Sequence, residues 1–145
     1  MSYWVHVAAI VRLDSLRGLY GVDDDELLKE IKKHFGKSDS EYKSNSEKSC
    51  GNWQQDEWLP AGSEGTCKMS IWENPDKHCA PSHTVSIFGD LRDVKSGDAI
   101  VEWFKGKVSD KALDGKGFWV RQAVITIEEE PIERTLTWST PWHNI

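Results

Sequence analysis

The chain has no apolar run approaching the roughly 18 residues that a membrane-spanning helix needs, so no such helix is expected. Cysteine is scarce: Cys50, Cys67 and Cys79 are an odd set, which fits reduced thiols better than a disulfide framework. The opening Met1-Ser2-Tyr3-Trp4-Val5-His6-Val7 lacks the basic region and small-residue cleavage site of a secretory signal, so the expected location is the cytoplasm. Basic charge is also short. Eighteen Lys and Arg face 24 Asp and Glu, for a net charge of −6, which argues against non-specific nucleic-acid binding. Neither G-x-x-x-x-G-K-[ST] nor G-x-G-x-x-G occurs; Gly62-Ser63-Glu64-Gly65 stands before a strand, whereas a phosphate loop follows one. No G-x-S-x-G elbow is present, and the H-x-[ST] pairs of two-histidine phosphodiesterases are not met at His6 or His83.

What is present reads as alternating strands and helices. Tyr3–Arg12 is β-branched and aromatic on both faces, as in a central strand. Leu13–Gly21 reads as a connection. Asp23 can cap a helix opening at Asp24, with acids in its first turn and Leu27, Leu28, Ile31, His34 and Phe35 as its apolar stripe; Gly36 is the stop. Residues 37–65 form a long polar stretch, expected to be a partly disordered loop inserted before the second strand. Thr66–Trp72 and His83–Phe88 alternate in the manner of half-buried strands paired as a hairpin. Phe88–Asp93 reads as an acid-rich turn, and Ser96 as the cap of a helix reaching Val108. Phe118–Ile127 is the strongest strand, ended by Glu128, Glu129, Glu130 and Pro131. Arg134–Ser139 adds a short edge strand. The order predicts an α+β fold in one domain over 1–145: a ferredoxin-like βαββαβ sandwich, its antiparallel sheet carrying two helices on one face and an extra C-terminal edge strand.

Eight Trp are many for 145 residues, and several are expected at half-exposed rims or interfaces. Trp4, Trp72, Phe88 and Trp119 fall in register to share one sheet face, the arrangement by which some sheets stack RNA bases. The missing RNP signature and the acidic charge favour packing under the long loop or in a dimer instead. The thiol and imidazole residues Cys50, Cys67, His78, Cys79 and His83 have no C-x2-C pair, and a metal site drawn from Cys67, His78, Cys79 and His83 is the weaker reading. A Cys79–His78 nucleophile is framed by no signature. His6 and His83 read as structural strand histidines. A binding surface is expected from Trp53, Trp58, Trp72, Glu73, Asp90, Arg92 and Asp93, because aromatics and arginine dominate interface energetics.

The run Gly62–Phe104, with GSEG, IWENPD, TVSIFGDLRD and IVEWF, resembles small uncharacterised proteins encoded by tailed phages and prophages of Gram-positive bacteria. That resemblance implies a phage or prophage origin and a cytoplasmic role, and assigns no functional residues. The expected function is a non-enzymatic binding protein, without cofactor, acting on a protein partner or on itself as a homodimer. The alternatives are a metal- or Cys/His-dependent enzyme, or a sensor holding a small ligand or nucleotide at a dimer interface.

Overall fold

A computed structural model describes residues 2–17, 22–38 and 57–140. Five strands form one antiparallel sheet: β1 (Trp4–Ser15), β2 (Lys68–Glu73), β3 (His83–Arg92), β4 (Phe118–Glu130) and β5 (Arg134–Ser139). Their order is β2-β3-β1-β4-β5. Among the described residues three helices accompany them: α1 (Asp24–Phe35), α2 (Gly97–Lys107) and the single turn α3 (Asp110–Leu113). The class is α+β, and the strand order is consistent with a ferredoxin-like arrangement extended by β5 at one edge.

Local chemistry explains most of the boundaries. The Asp23 carboxylate accepts from the backbone N–H groups of Asp25 and Glu26, satisfying donors that a helix start leaves open. Gly36 ends α1 at φ 120°, a conformation that a side chain would strain. Ser96 caps α2 by accepting from Ala99 N–H. The two helices are tied at one end by a reciprocal pair: His34 Nε2 lies 2.6 Å from the Lys107 carbonyl, and Lys107 Nζ donates to the His34 carbonyl at 3.0 Å.

Alternation divides the sheet into two faces. Val5, Val7, Ala9, Val11 and Leu13 of β1 point to the helices, with Val85, Ile87 and Leu91 of β3 and Ala123, Ile125 and Ile127 of β4 beside them. Leu27, Ile31 and Phe35 of α1 and Ile100 and Phe104 of α2 close this core. The opposite face carries no helix among the described residues. Its rows are set by register. Trp4 lies between Arg92 and Glu130, His6 between Asp90 and Glu128, Ala8 between Phe88 and Thr126, and Ile10 between Ser86 and Val124.

Three expected boundaries move by three residues or more. β1 runs on to Ser15, because β4 continues beside it past a bulge at Arg12/Leu13. Phe88–Asp93 is not a turn: β3 continues through Arg92, its backbone paired with β1 from Leu13↔His83 to Trp4↔Arg92. Glu128–Glu130 do not end β4 but form its last three positions, paired with His6, Val5 and Trp4. In both cases a neighbouring strand supplies ladder partners to residues whose own strand preference is low. Cys50, Trp53 and most of the expected 37–65 loop lie outside the described residues.

Candidate functional site

A group of ionisable side chains stands at one end of the open face, where β1, β3 and β4 run side by side. His6 is its centre. Its Nδ1 lies 2.7 Å from Asp90 Oδ1, and its Nε2 contacts the Glu130 carboxylate. The hydrogen bond to Asp90, followed by that to Glu130, raises the His6 pKa above its ordinary 6.5, with burial opposing only in part. A protonated imidazole offers an N–H on both nitrogens, which matches an acceptor on each side. Glu128 is the direct cross-strand partner of His6 on β4 and is exposed. Two carboxylates contact the imidazole and a third stands on its cross-strand neighbour, so acidic groups outnumber it.

Aromatic side chains flank this group. Trp4 and Ala8 bracket His6 on β1, and Phe88 and Arg92 bracket Asp90 on β3, each about 7 Å along its strand. Phe88 is 53% exposed, so its ring is open to solvent beside Asp90.

The GSEG segment supports the end of this site. Ser63 N–H donates to the Arg92 carbonyl at 2.8 Å, and Arg92 N–H donates to the Glu64 carbonyl at 3.0 Å, so the segment adds a short stretch of ladder to β3. The Glu64 carboxylate accepts from the Arg92 guanidinium, and Ser63 Oγ donates to Asp93 Oδ2 at 3.2 Å. Two glycines permit the close approach. A Cβ at Gly65, whose φ is +78°, would stand 1.9 Å from the Asp90 carbonyl oxygen, and one at Gly62 would stand 2.3 Å from that of Arg92.

A second polar group lies at the far end of β3, on the helix side. His83 is 1% exposed, and its Nδ1 shares a 2.8 Å hydrogen bond with Ser82 Oγ. Ser82 Oγ in turn lies 2.8 Å from Ser15 Oγ. Burial, then the positive charge of Arg17, push the His83 pKa down. Arg17 is itself buried and donates to the carbonyls of Asn74 (2.7 Å) and Asp76 (2.8 Å), which fixes the connection between β2 and β3. Lys77 holds Asp24 at 2.6 Å and lowers its pKa.

The residues expected to form a binding surface do not assemble. Trp58 is 2% exposed and belongs to the core, with the Lys37 ammonium 5.1 Å from its ring centroid. Trp72 and Glu73 pair with Thr84 and His83, about 20–30 Å along β3 from Asp90 and Arg92. Trp53 lies outside the described residues. Asp90, Arg92 and Asp93 do come together, with His6, Glu64, Glu128 and Glu130, which that surface omitted. Trp4, Trp72, Phe88 and Trp119 all fall on the open face, spread along its length.

The metal candidates separate too. Cys67 is buried on the helix side, where burial pushes its thiol up to about 12, and His83 points into the same side. His78 is exposed and Cys79 half-buried in the β2–β3 connection. Among the described residues, no group of three or more His, Cys, Asp or Glu is placed to hold a metal ion. Nor is any helix among them long and apolar enough to cross a membrane.

Comparison with known proteins is sparse. No family model matches the chain, and no curated protein matches it. Among solved structures it is similar to a phage SAM lyase in complex with S-methyl-5'-thioadenosine, at 10% identity and a TM-score of 0.38, covering 97% of this chain and 93% of that one. The expectation of a non-enzymatic binding protein is corrected at this point. The protein found is an enzyme, and the aromatic and acidic surface drawn for a binding role is divided by the fold. That neighbour is a phage protein, like those the Gly62–Phe104 run resembles; nothing found bears on a Gram-positive host.

Proposed function

We propose that this chain is an enzyme that moves a proton on a small cationic substrate at the open face of its sheet. The observation that carries the reading is His6, held between the Asp90 and Glu130 carboxylates with both ring nitrogens engaged. The raised imidazole pKa favours the protonated form of His6, the form that a general acid requires. Asp90 and Glu130 orient the ring, and either carboxylate accepts a proton once a ligand displaces its bond to His6. The surplus of carboxylates selects for positive charge. Trp4 and Phe88 on either side provide faces for a flat ring or a cationic centre.

S-adenosylmethionine joins a sulfonium to a planar base and is therefore a fitting first probe. The test incubates the purified protein with it and follows S-methyl-5'-thioadenosine and other adenosyl products by reverse-phase chromatography, beside a His6→Asn variant. Turnover that falls by about 10²-fold or more in the variant supports the reading, since a positioned acid–base group contributes about that much. Calorimetric titrations with S-adenosylmethionine and with choline, a quaternary ammonium, extend the test. Absence of turnover together with absence of binding for both cations overturns it.

A further inference from the structure

The sheet ends on one side in β5, whose outer edge is bare among the described residues. Thr140 N–H donates to the Ala123 carbonyl at 2.9 Å, and ladder bonds of an antiparallel pair recur at every second residue. Arg134, Leu136 and Trp138 therefore turn their backbone N–H and C=O groups to β4. Thr135, Thr137 and Ser139 turn theirs outward, where no other described strand meets them. Such a row of donors and acceptors is a template for another strand.

Edge strands are commonly blunted by a free charge, a proline or a bulge. β5 (RTLTWS) contains no Lys, Pro or Gly and pairs with β4 without a register shift. Its one charge, Arg134, is engaged within the chain, 2.5 Å from Glu129 and 2.7 Å from Asp98. The opposite edge strand, β2, carries Lys68 and Glu73 at its ends. On the helix side of β5, Leu136 and Trp138 stand beside Ile127 and Ile125 and are half-buried. On the open face Thr135, Thr137 and Ser139 are exposed.

We infer that β5 pairs with β5 of a second copy of this chain, antiparallel, about a two-fold axis that runs between the two Thr137 residues, perpendicular to the sheet. The strand complements itself in this register. Thr137 meets Thr137 and Thr135 meets Ser139, so each outward N–H of one strand finds a C=O of the other. Leu136 of each copy meets Trp138 of the other at the closely spaced ladder positions, where side chains interact most. The two Arg134 residues stand at opposite ends of the joint, so no like charges face each other. A shift of two residues either way leaves an outward residue unpaired and parts Leu136 from Trp138. The contact is isologous and closes as a dimer. Two five-stranded sheets become one, with both open faces on the same side. The His6 group lies two strands in from the joint and stays open, and the inference does not rest on the chemistry proposed there.

Sedimentation velocity of the native full-length protein from about 1 to 500 µM tests it; a reversible dimer is expected to dominate by the upper end of that range, as suits a small interface. Thr137→Lys and Thr137→Glu each place like charges face to face across the axis, and each alone is expected to weaken the dimer about fivefold or more. An equal mixture of the two variants brings opposite charges together and is expected to associate about tenfold more tightly than either alone, because only a residue on the axis opposes itself. Thr137 is exposed, so both variants are expected to melt within a few degrees of the unaltered chain. A chain that stays monomeric throughout, single variants that associate as the unaltered chain does, or a mixture no tighter than its components overturns the inference. Should a charged variant not fold, Thr137→Pro replaces the pair, since it removes an outward N–H and no bond to β4; a loss of about fivefold or more is expected, and unchanged association overturns the inference.

Discussion

The two faces of one sheet obey opposite rules, and neighbouring residues show it. Ile87 is fully buried under the helices, and Phe88, next in the chain, is half exposed on the other side. Glu129 is 2% exposed, while Glu130 is open to solvent beside His6. His83 is buried and pushed toward its neutral form; His6 lies between carboxylates that favour its charged form. A covered face gains from apolar contact and tolerates a charge only when every partner is supplied. An open face can hold charges in excess and leave aromatic surface bare. The difference teaches that apolar packing resides in one layer and exposed charge in the other, so each can be changed while the other stands.

The strongest way to break this comparison is the pair Ile87→Ala and Phe88→Ala. The first removes packed methylenes from a site at 0% exposure and is expected to cost about 2–5 kcal/mol. The second is expected to fall within about 0.5 kcal/mol. Urea denaturation of both variants checks it; equal losses would mean that the open face is covered in solution.

Next come Glu129→Gln and Glu130→Gln. Glu129 accepts from the Tyr3 hydroxyl and, at 2.5 Å, from Arg134 Nε, while Arg134 also reaches Asp98 at 2.7 Å. Removing that buried charge is expected to cost about 1–3 kcal/mol. Glu130→Gln is expected to stay within about 0.5 kcal/mol in stability while lowering the His6 pKa. Thermal melts and a histidine titration by NMR read the two effects separately.

The pH profile sharpens the contrast further. The His6 pKa is raised on folding, so its contribution is fully present below the unfolded value of 6.5 and is lost as pH rises through the folded value. The His83 pKa is lowered, so its contribution is present above 6.5 and is lost as pH falls toward the folded value. His6→Asn is expected to flatten the alkaline side of the stability profile, and His83→Asn the acid side. Melting temperatures between pH 5 and 8 decide whether the two slopes have opposite signs.

The smallest effect is chemical. In a Cys50→Ser background, Cys79 is expected to react with a thiol reagent in the native protein and Cys67 only after denaturation, because Cys67 is buried and its thiol is pushed up to about 12. Counting modified thiols by mass, before and after adding denaturant, tests it.

Local signals in the sequence were reliable wherever the physics was local. Asp23, Gly36 and Ser96 capped the helices as their side chains and backbone freedom require. The alternation in β4 and β5 placed those strands where they are. Failure came where partners lie far along the chain. Gly89, Asp90 and Arg92 read as turn residues until β1 supplies their ladder, and Glu128–Glu130 read as a strand end until the same strand does so. His6 was passed over for the same reason: nothing within ten residues of it announces Asp90 or Glu130, 84 and 124 positions away. Trp58 was taken for a surface residue because its polar neighbours hide a backbone bridge to Lys37 that draws it into the core.

The middle strand of the sheet precedes in the chain both of the strands that cover its edges. β1 pairs Trp4 with Arg92 on one edge and with Glu130 on the other, so one edge stays bare until β3 is made and the other until β4 follows. At about 5–20 residues per second, that leaves YWVHVAAIVRL, a β-prone and nearly uncharged segment, unsheltered for seconds to tens of seconds. Translation that stops before Phe118 would release a sticky fragment instead of a smaller folded protein, so production of this molecule depends on finishing it.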